Sequence, residues 1–185
     1  LVLIDADDLA TMDRPDAPDP TAWGLHGAVH RLCPHARAAL HCHPPYATVL
    51  ACLEDPHLPP LDQTAAIFTG QVAVDTHYGG LALGDEAERA CGHLADPAKK
   101  ILVMGNHGVL AVGGTVAEAF DRLYYFERAC RTYVTALSTG RPLRILSDEV
   151  ATKTAADMAV YDSPGEDHFR ELKAILDEEG SDYAH

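Results

Sequence analysis

"ARAALHCHPPYATVLA", residues 36–51, sets two histidines one residue apart between two apolar runs and follows them with two prolines. Successive side chains of an extended strand point to opposite faces, so His41 and His43 share a face and Cys42 takes the other. Same-face neighbours lie roughly 6–7 Å apart, a span that two imidazoles leaning toward one ion at about 2.1 Å each can bridge. Pro44 and Pro45 stop the strand and open a helix, because proline in a first turn forfeits no hydrogen bond. Short His pairs also arise on exposed strands, and this stretch alone leaves both readings open.

The surrounding sequence continues the alternation of strand and helix. "LVLIDADD" (1–8) reads as a β-strand and "TMDRPDAPDP" (11–20) as a Pro/Asp loop. Thr21 then caps a helix over residues 22–32, which Cys33-Pro34 ends. Downstream, residues 63–70 read as a short helix or turn, and "QVAVDTHYGG" (71–80) as a short strand closed by glycines. "DEAERACGHLA" (85–95) is an amphipathic helix whose first-turn acids suit the helix dipole. "KKILVMGNHGVLAVGG" (99–114) predicts two apolar strands around a tight turn. Thr115 and Glu118 form a capping box for the longest helix, and two acidic helices follow at about 148–158 and 166–179. Strands and helices mix without repeats, the pattern of a layered α/β domain. The expectation is one domain over residues 1–185, with residues 147–185 as a peripheral helical tail.

Composition narrows the function classes. A chain of 185 residues buries a sizeable core in one domain. A formal net charge of −14 argues against a nucleic-acid surface, which needs a basic stripe, and against anionic lipid. No run approaches the eighteen or so apolar residues of a membrane span. The opening has neither a basic leader nor a cleavage-type site, so it is not read as a signal peptide. Five cysteines without CxxC spacing read as free thiols in a reducing cytoplasm.

His107 strengthens the metal reading. It lies in "MGNHG" (104–108), where a strand ends in a turn and Gly105 and Gly108 permit backbone geometry that other residues resist. Three histidines at strand ends in an α/β domain match a catalytic site of three protein ligands and one open position. His41, His43 and His107 are therefore candidate ligands of one divalent ion: zinc first, with iron, manganese or cobalt as the other candidates, of which iron suits imidazole as zinc does. His26 and His30 stand one helical turn apart and face either the metal or a packed neighbour. His35, His57, His93, His168 and His185 have no company that indicates a ligand, and "FDRLYYFERAC" (120–130) reads as core and interface packing.

These residues resemble the class II aldolase and adducin head family. "LHGAVHRLCPHARAALHCHPPYATVLA" (25–51) is similar to the family's helix and HxH strand, and "ILVMGNHGVLAVGGTVAEAFDRLYYFERAC" (101–130) to its N-H-G turn and long helix. The resemblance reaches to about Met158. It implies a three-layer α/β/α sandwich around a mostly antiparallel sheet. It also implies a homotetramer with sites at subunit interfaces, and metal binding at His41, His43 and His107. "DTHYGG" matches a loop near the family's active site, so His77 and Tyr78 could supply a proton donor, although a plain turn is at least an equal reading. Tyr78 from this loop and His26 from the helix are the candidate catalytic residues. The family includes L-fuculose-phosphate aldolase, ribulose-phosphate 4-epimerases and the non-catalytic adducin head.

The implied function is a metal-dependent lyase acting on a small hydroxy or oxo acid or a sugar derivative. It would perform aldol-type C–C cleavage or decarboxylation through a metal-stabilised enediolate. Two alternatives stay open: a non-haem iron oxygenase/decarboxylase on a 2-oxo acid in specialised metabolism, and an adducin-like scaffold. Two departures bear on this. Where the sugar-phosphate aldolases carry S-S-E-W-x-x-H, this chain has "PTAWGLH" (20–26), with Ala22 in the acid's place. Asp62-Gln63 stands where some family aldolases have a tyrosine, and an amide cannot do a phenol's acid work. The family's phosphate-binding segments precede Leu1, so the expectation is that the N-terminal part of the family domain is absent.

Overall fold

A four-stranded sheet carries the fold. In the computed structural model, which describes residues 2–81, 83–160 and 164–183, β1 (Ala38–Cys42), β2 (Val72–Asp75), β3 (Ile101–Met104) and β4 (Gly108–Gly113) lie in the order β1-β4-β3-β2. β4 pairs antiparallel with both β1 and β3, while β2 joins β3 in parallel. Every residue of β3 and β4 is buried, as continuous apolar runs require of strands covered on both faces.

The helices are α1 (Pro20–Leu32), α2 (Pro45–Ala51), α3 (Gln63–Ile67), α4 (Asp85–Gly92), α5 (Val116–Ser138), α6 (Asp148–Ala159) and α7 (Pro164–Glu178). The parallel β2–β3 pair needs a crossover, and α4 supplies it. Strand alternation then sorts the core into two layers. Leu102, Leu110 and Val112 meet Leu25 and Val29 of α1 and Ala90 of α4. Ile101, Val103 and Val109 meet Leu50 of α2, Ala65 of α3 and Phe126 of α5. The result is an α/β/α sandwich around a mostly antiparallel sheet, as the resemblance implied. α6 lies against α3, and α7 lies against α5. The Thr115 hydroxyl donates to Glu166 at 2.8 Å, and His168 Nδ1 meets Asp121 at 2.8 Å.

Local chemistry overturns several expectations. "LVLIDADD" forms no strand among its described residues. Its carboxylates bond the backbone instead: Asp5 accepts from Asp7 N at 3.0 Å and Asp8 from Ala10 N at 2.9 Å. Such local bonds compete with a ladder and open a short 3-10 helix, Leu9–Asp13, that runs into the start of the expected loop. The cap of α1 is Asp19 rather than Thr21. Its carboxylate accepts from Thr21 N at 2.8 Å, and Pro20 fills the first turn. The α5 box is half as expected: Glu118 N donates to the Thr115 hydroxyl at 3.1 Å, but the Glu118 carboxylate accepts from Gly114 N at 3.0 Å. β1 is shorter than the predicted strand, so His43 stands one residue beyond its last pair. His185 lies outside the described residues.

All five cysteines are free. Burial pushes the Cys91 thiol up to about 12, with neighbouring Cys33 adding to the rise, and burial also raises Cys130. Cys33, Cys91 and Cys130 are buried, Cys42 is half-buried, and Cys52 is exposed. Only thiolate reacts with a disulfide reagent. Ellman's reagent should therefore titrate Cys52 first in the native protein and reach Cys33, Cys91 and Cys130 only on unfolding. Rapid native labelling of any of those three would contradict this packing.

Candidate metal centre

The end of β1 lies beside the start of β4, where His41 pairs with Leu110 and Cys42 with Val109. The antiparallel β3–β4 hairpin brings its turn, residues 105–107, to the same end of the sheet. His41 leaves the strand on the α1 side, His43 follows it, and His107 projects from the turn. Their ring centroids lie 4.7–5.0 Å apart, and one ligand nitrogen from each falls within 4.8 Å of the others. The Nε2 atoms of His41 and His43 are 3.2 Å apart. Two donors on one tetrahedral ion with bonds of about 2.0–2.1 Å would stand at about 3.3 Å, so this spacing suits a shared ion.

Protonation also suits one. His41 Nδ1 lies 3.0 Å from the Val109 carbonyl. That oxygen can only accept, so Nδ1 carries the proton and Nε2 keeps its lone pair toward the other rings. A backbone partner that fixes the tautomer is the usual support of a metal-ligating histidine. Burial pushes the His41 pKa down to about 4, aided by the His107 charge, and burial and then His43 lower His107. Neutral imidazoles are the ligating form.

The turn works differently from its sequence reading. The left-handed residue is Asn106, at φ 56°, where asparagine is tolerated. Gly105 and Gly108 serve close approach instead. A Cβ on Gly108 would lie 2.5 Å from His43 Cδ2 and 2.7 Å from the Cys42 carbonyl, and one on Gly105 would lie 3.0 Å from Thr76 Cα. Gly108 is therefore the space that the His43 ring fills.

His26 is half-buried on α1, close enough for its charge to help lower His41. Burial lowers its own pKa first, then His30. Ala22 stands one turn earlier on the same helix. The ring of Tyr78, 53% exposed, lies 6.1 Å from His107. Its loop is gripped on both sides. Asp75, buried at the end of β2, accepts from His77 N at 3.1 Å and pairs with Arg89 of α4. Arg89 also donates to the His77 carbonyl at 3.3 Å, and Glu86 accepts from Gly79 N at 2.7 Å. The His77 ring is exposed and lies 3.7 Å from Asp75, outside the triad. The Asp75–Arg89 pair escaped the sequence reading, although an acid closing the apolar strand "VAVD" was a visible signal. Two surface grooves, one lined by Arg128 and Arg131 and one along α7, include no triad histidine.

A mixed α/β sandwich that gathers three histidines at one end of its sheet presents a cluster that could hold a divalent ion. Comparison with known proteins places it further. Residues 1–134 match the family described as the class II aldolase and adducin N-terminal domain, and the chain belongs to that family. A Caulobacter vibrioides protein provisionally named as a class 2 aldolase is 34% identical over 82% of this chain and 58% of its own length. Rattus norvegicus beta-adducin is 30% identical over 88% of this chain and 24% of its length. The decarboxylase NovR of Streptomyces niveus is 28% identical over 87% and 58%. Among solved structures, an aldolase II superfamily protein of Pseudomonas syringae has a TM-score of 0.80 and 30% identity, covering 89% of this chain and 66% of that one. An L-fuculose 1-phosphate aldolase has a TM-score of 0.64 at 26% identity, covering 75% and 63%. The chain thus spans little more than half the length of the C. vibrioides protein. No helix among the described residues is long and apolar enough to cross a membrane.

The crowding at Gly108 is directly measurable. Gly108→Ala should cost about 1–3 kcal/mol in urea unfolding, the usual range for overpacking. Gly114→Ala, whose Cβ meets nothing nearer than 3.6 Å, should cost clearly less. Equal losses would show that the His43 contact is not a constraint.

Proposed function

We propose that this chain forms the metal-binding part of a lyase that breaks a C–C bond in a small hydroxy or oxo acid or a sugar derivative, by aldol cleavage or decarboxylation. The reading rests on the convergence of His41, His43 and His107, with the His41 proton held on Nδ1 by the Val109 carbonyl. A divalent ion bound there supplies Lewis-acid polarisation of substrate oxygens.

The chain's own groups define the rest. His41, His43 and His107 would hold the ion as three protein ligands, the number that catalytic sites use. His26, kept neutral by burial, can accept a proton on its unprotonated ring nitrogen. Tyr78 presents a phenol donor from a loop fixed by Asp75, Arg89 and Glu86. Ala22 offers no carboxylate, so His26 and Tyr78 are this chain's own candidates for proton transfer. A second reading, an iron-dependent oxygenase or decarboxylase acting on a 2-oxo acid, draws support from the similarity to decarboxylase NovR and from the affinity of imidazole for iron. An adducin-like scaffold is favoured less, because all three candidate ligands are present.

Elemental analysis combined with turnover tests the proposal. The purified chain should carry one equivalent of zinc, manganese or cobalt. Fuculose or ribulose phosphates should turn over at least about 100-fold more slowly than the preferred 2-oxo or hydroxy acid, the low end of a lost acid/base group. Iron in place of these metals supports the oxygenase, and no metal supports the scaffold. Fast aldol cleavage of a sugar phosphate would show that the vacancy at Ala22 does not matter.

A further inference from the structure

We propose that Glu127, on α5, is a positioning residue for the metal centre, acting through α2, the short helix that joins His43 to the turn carrying His107. The proposal rests on the metal-centre reading above.

α2 begins two residues after His43 and has no cap of its own. Pro44 stands at the cap position without a side-chain hydrogen bond, and Pro45 fills the first helical position without an N–H. The N–H groups of Tyr46 and Ala47 are therefore the first orphans of the helix. Glu127 takes both, one per carboxylate oxygen: Oε1 accepts from Tyr46 N at 3.0 Å and Oε2 from Ala47 N at 2.7 Å. A carboxylate there also meets the positive end of the helix. At the other end of α2, the Ala51 carbonyl accepts from Asn106 N at 2.9 Å, one residue before His107. α2 is thus a strut between two of the three candidate ligands, and Glu127 sets where it stands.

Glu127 does this from across the sheet. α2 and α5 pack on the face of Ile101, Val103 and Val109, whereas His41 lies on the opposite face with Leu110. Glu127 therefore acts through backbone, and its influence reaches the imidazoles as geometry. A ligand set tolerates displacements of only about 0.5 Å, so loosening both ends of the strut should be felt in metal affinity before it is felt in the fold. Ser147 provides a matched control. It caps α6 by accepting from Val150 N at 3.3 Å, and among the described residues no hydrogen bond links α6 to the triad.

The test is zinc affinity, measured by competition with a chromophoric chelator, for Glu127→Ala, Glu127→Gln and Ser147→Ala, with circular dichroism to confirm the fold. Glu127→Ala should weaken zinc by about 10–100-fold, the usual effect of removing outer support from a metal site. Glu127→Gln, which keeps one acceptor oxygen, should lose less, and Ser147→Ala should match the unmodified chain. Unchanged affinity in a folded Glu127→Ala protein overturns the proposal, as does an equal loss in Ser147→Ala. If the alanine variant fails to fold, Glu127→Gln decides: a clear loss supports the role, and full affinity overturns it. An unmodified chain that binds no divalent metal overturns the metal-centre reading itself, which is a different result from affinity retained in the variants.

Discussion

Antiparallel pairing of β1 with the start of β4 sets Cys42 opposite Val109, and Val109 then serves twice. Its place in the register fixes which face His41 takes, and its carbonyl fixes which nitrogen of His41 carries the proton. A slip of one residue would exchange the faces of the whole strand, turning His41 toward α5 and Cys42 toward α1. The same pairing sets the end of β1 against Gly108, where the absent side chain admits the His43 ring. Strand register, tautomer and ligand geometry are thus one constraint seen at three scales.

The chemistry of the centre contrasts with the rest of the surface. The chain carries 28 acidic residues against 14 Lys and Arg, yet the cluster itself is histidine alone. On the proposed reading, three imidazoles, which are uncharged donors when they ligate, would leave the charge of a divalent ion uncompensated and would favour a substrate that brings its own carboxylate or oxyanion. Ala22 points the same way, since its methyl group leaves no fixed acid on that turn of α1. The buried Asp75 is not available for that role, because Arg89 and the His77 amide already engage it.

What the sequence shows plainly is what repeats locally. Period-two alternation exposes β1, the apolar runs expose β3 and β4, and the flanking prolines expose the start of α2. The convergence of His107 with the HxH pair is legible because all three stand at strand ends. Features made by distant partners leave no such trace. Glu127 reads as one more acid on a long helix, and only the fold brings it to Tyr46, 81 residues away. The opening eight residues show the opposite failure. Their apolar start suggests a strand, but strand pairing needs a neighbour, and their aspartates bond locally instead. The role of Asn106 was hidden by the glycines around it, which looked like the conformational outliers and are the close-contact residues.

X-ray absorption at the zinc edge of the zinc-loaded chain tests the central claim most directly. Three imidazole nitrogens at about 2.0–2.1 Å with one further light scatterer are expected, and His43→Ala should remove one imidazole from the shell. A shell with fewer than three imidazoles, or with a sulfur at about 2.3 Å, would contradict the account, because Cys42 faces away from the triad across the sheet.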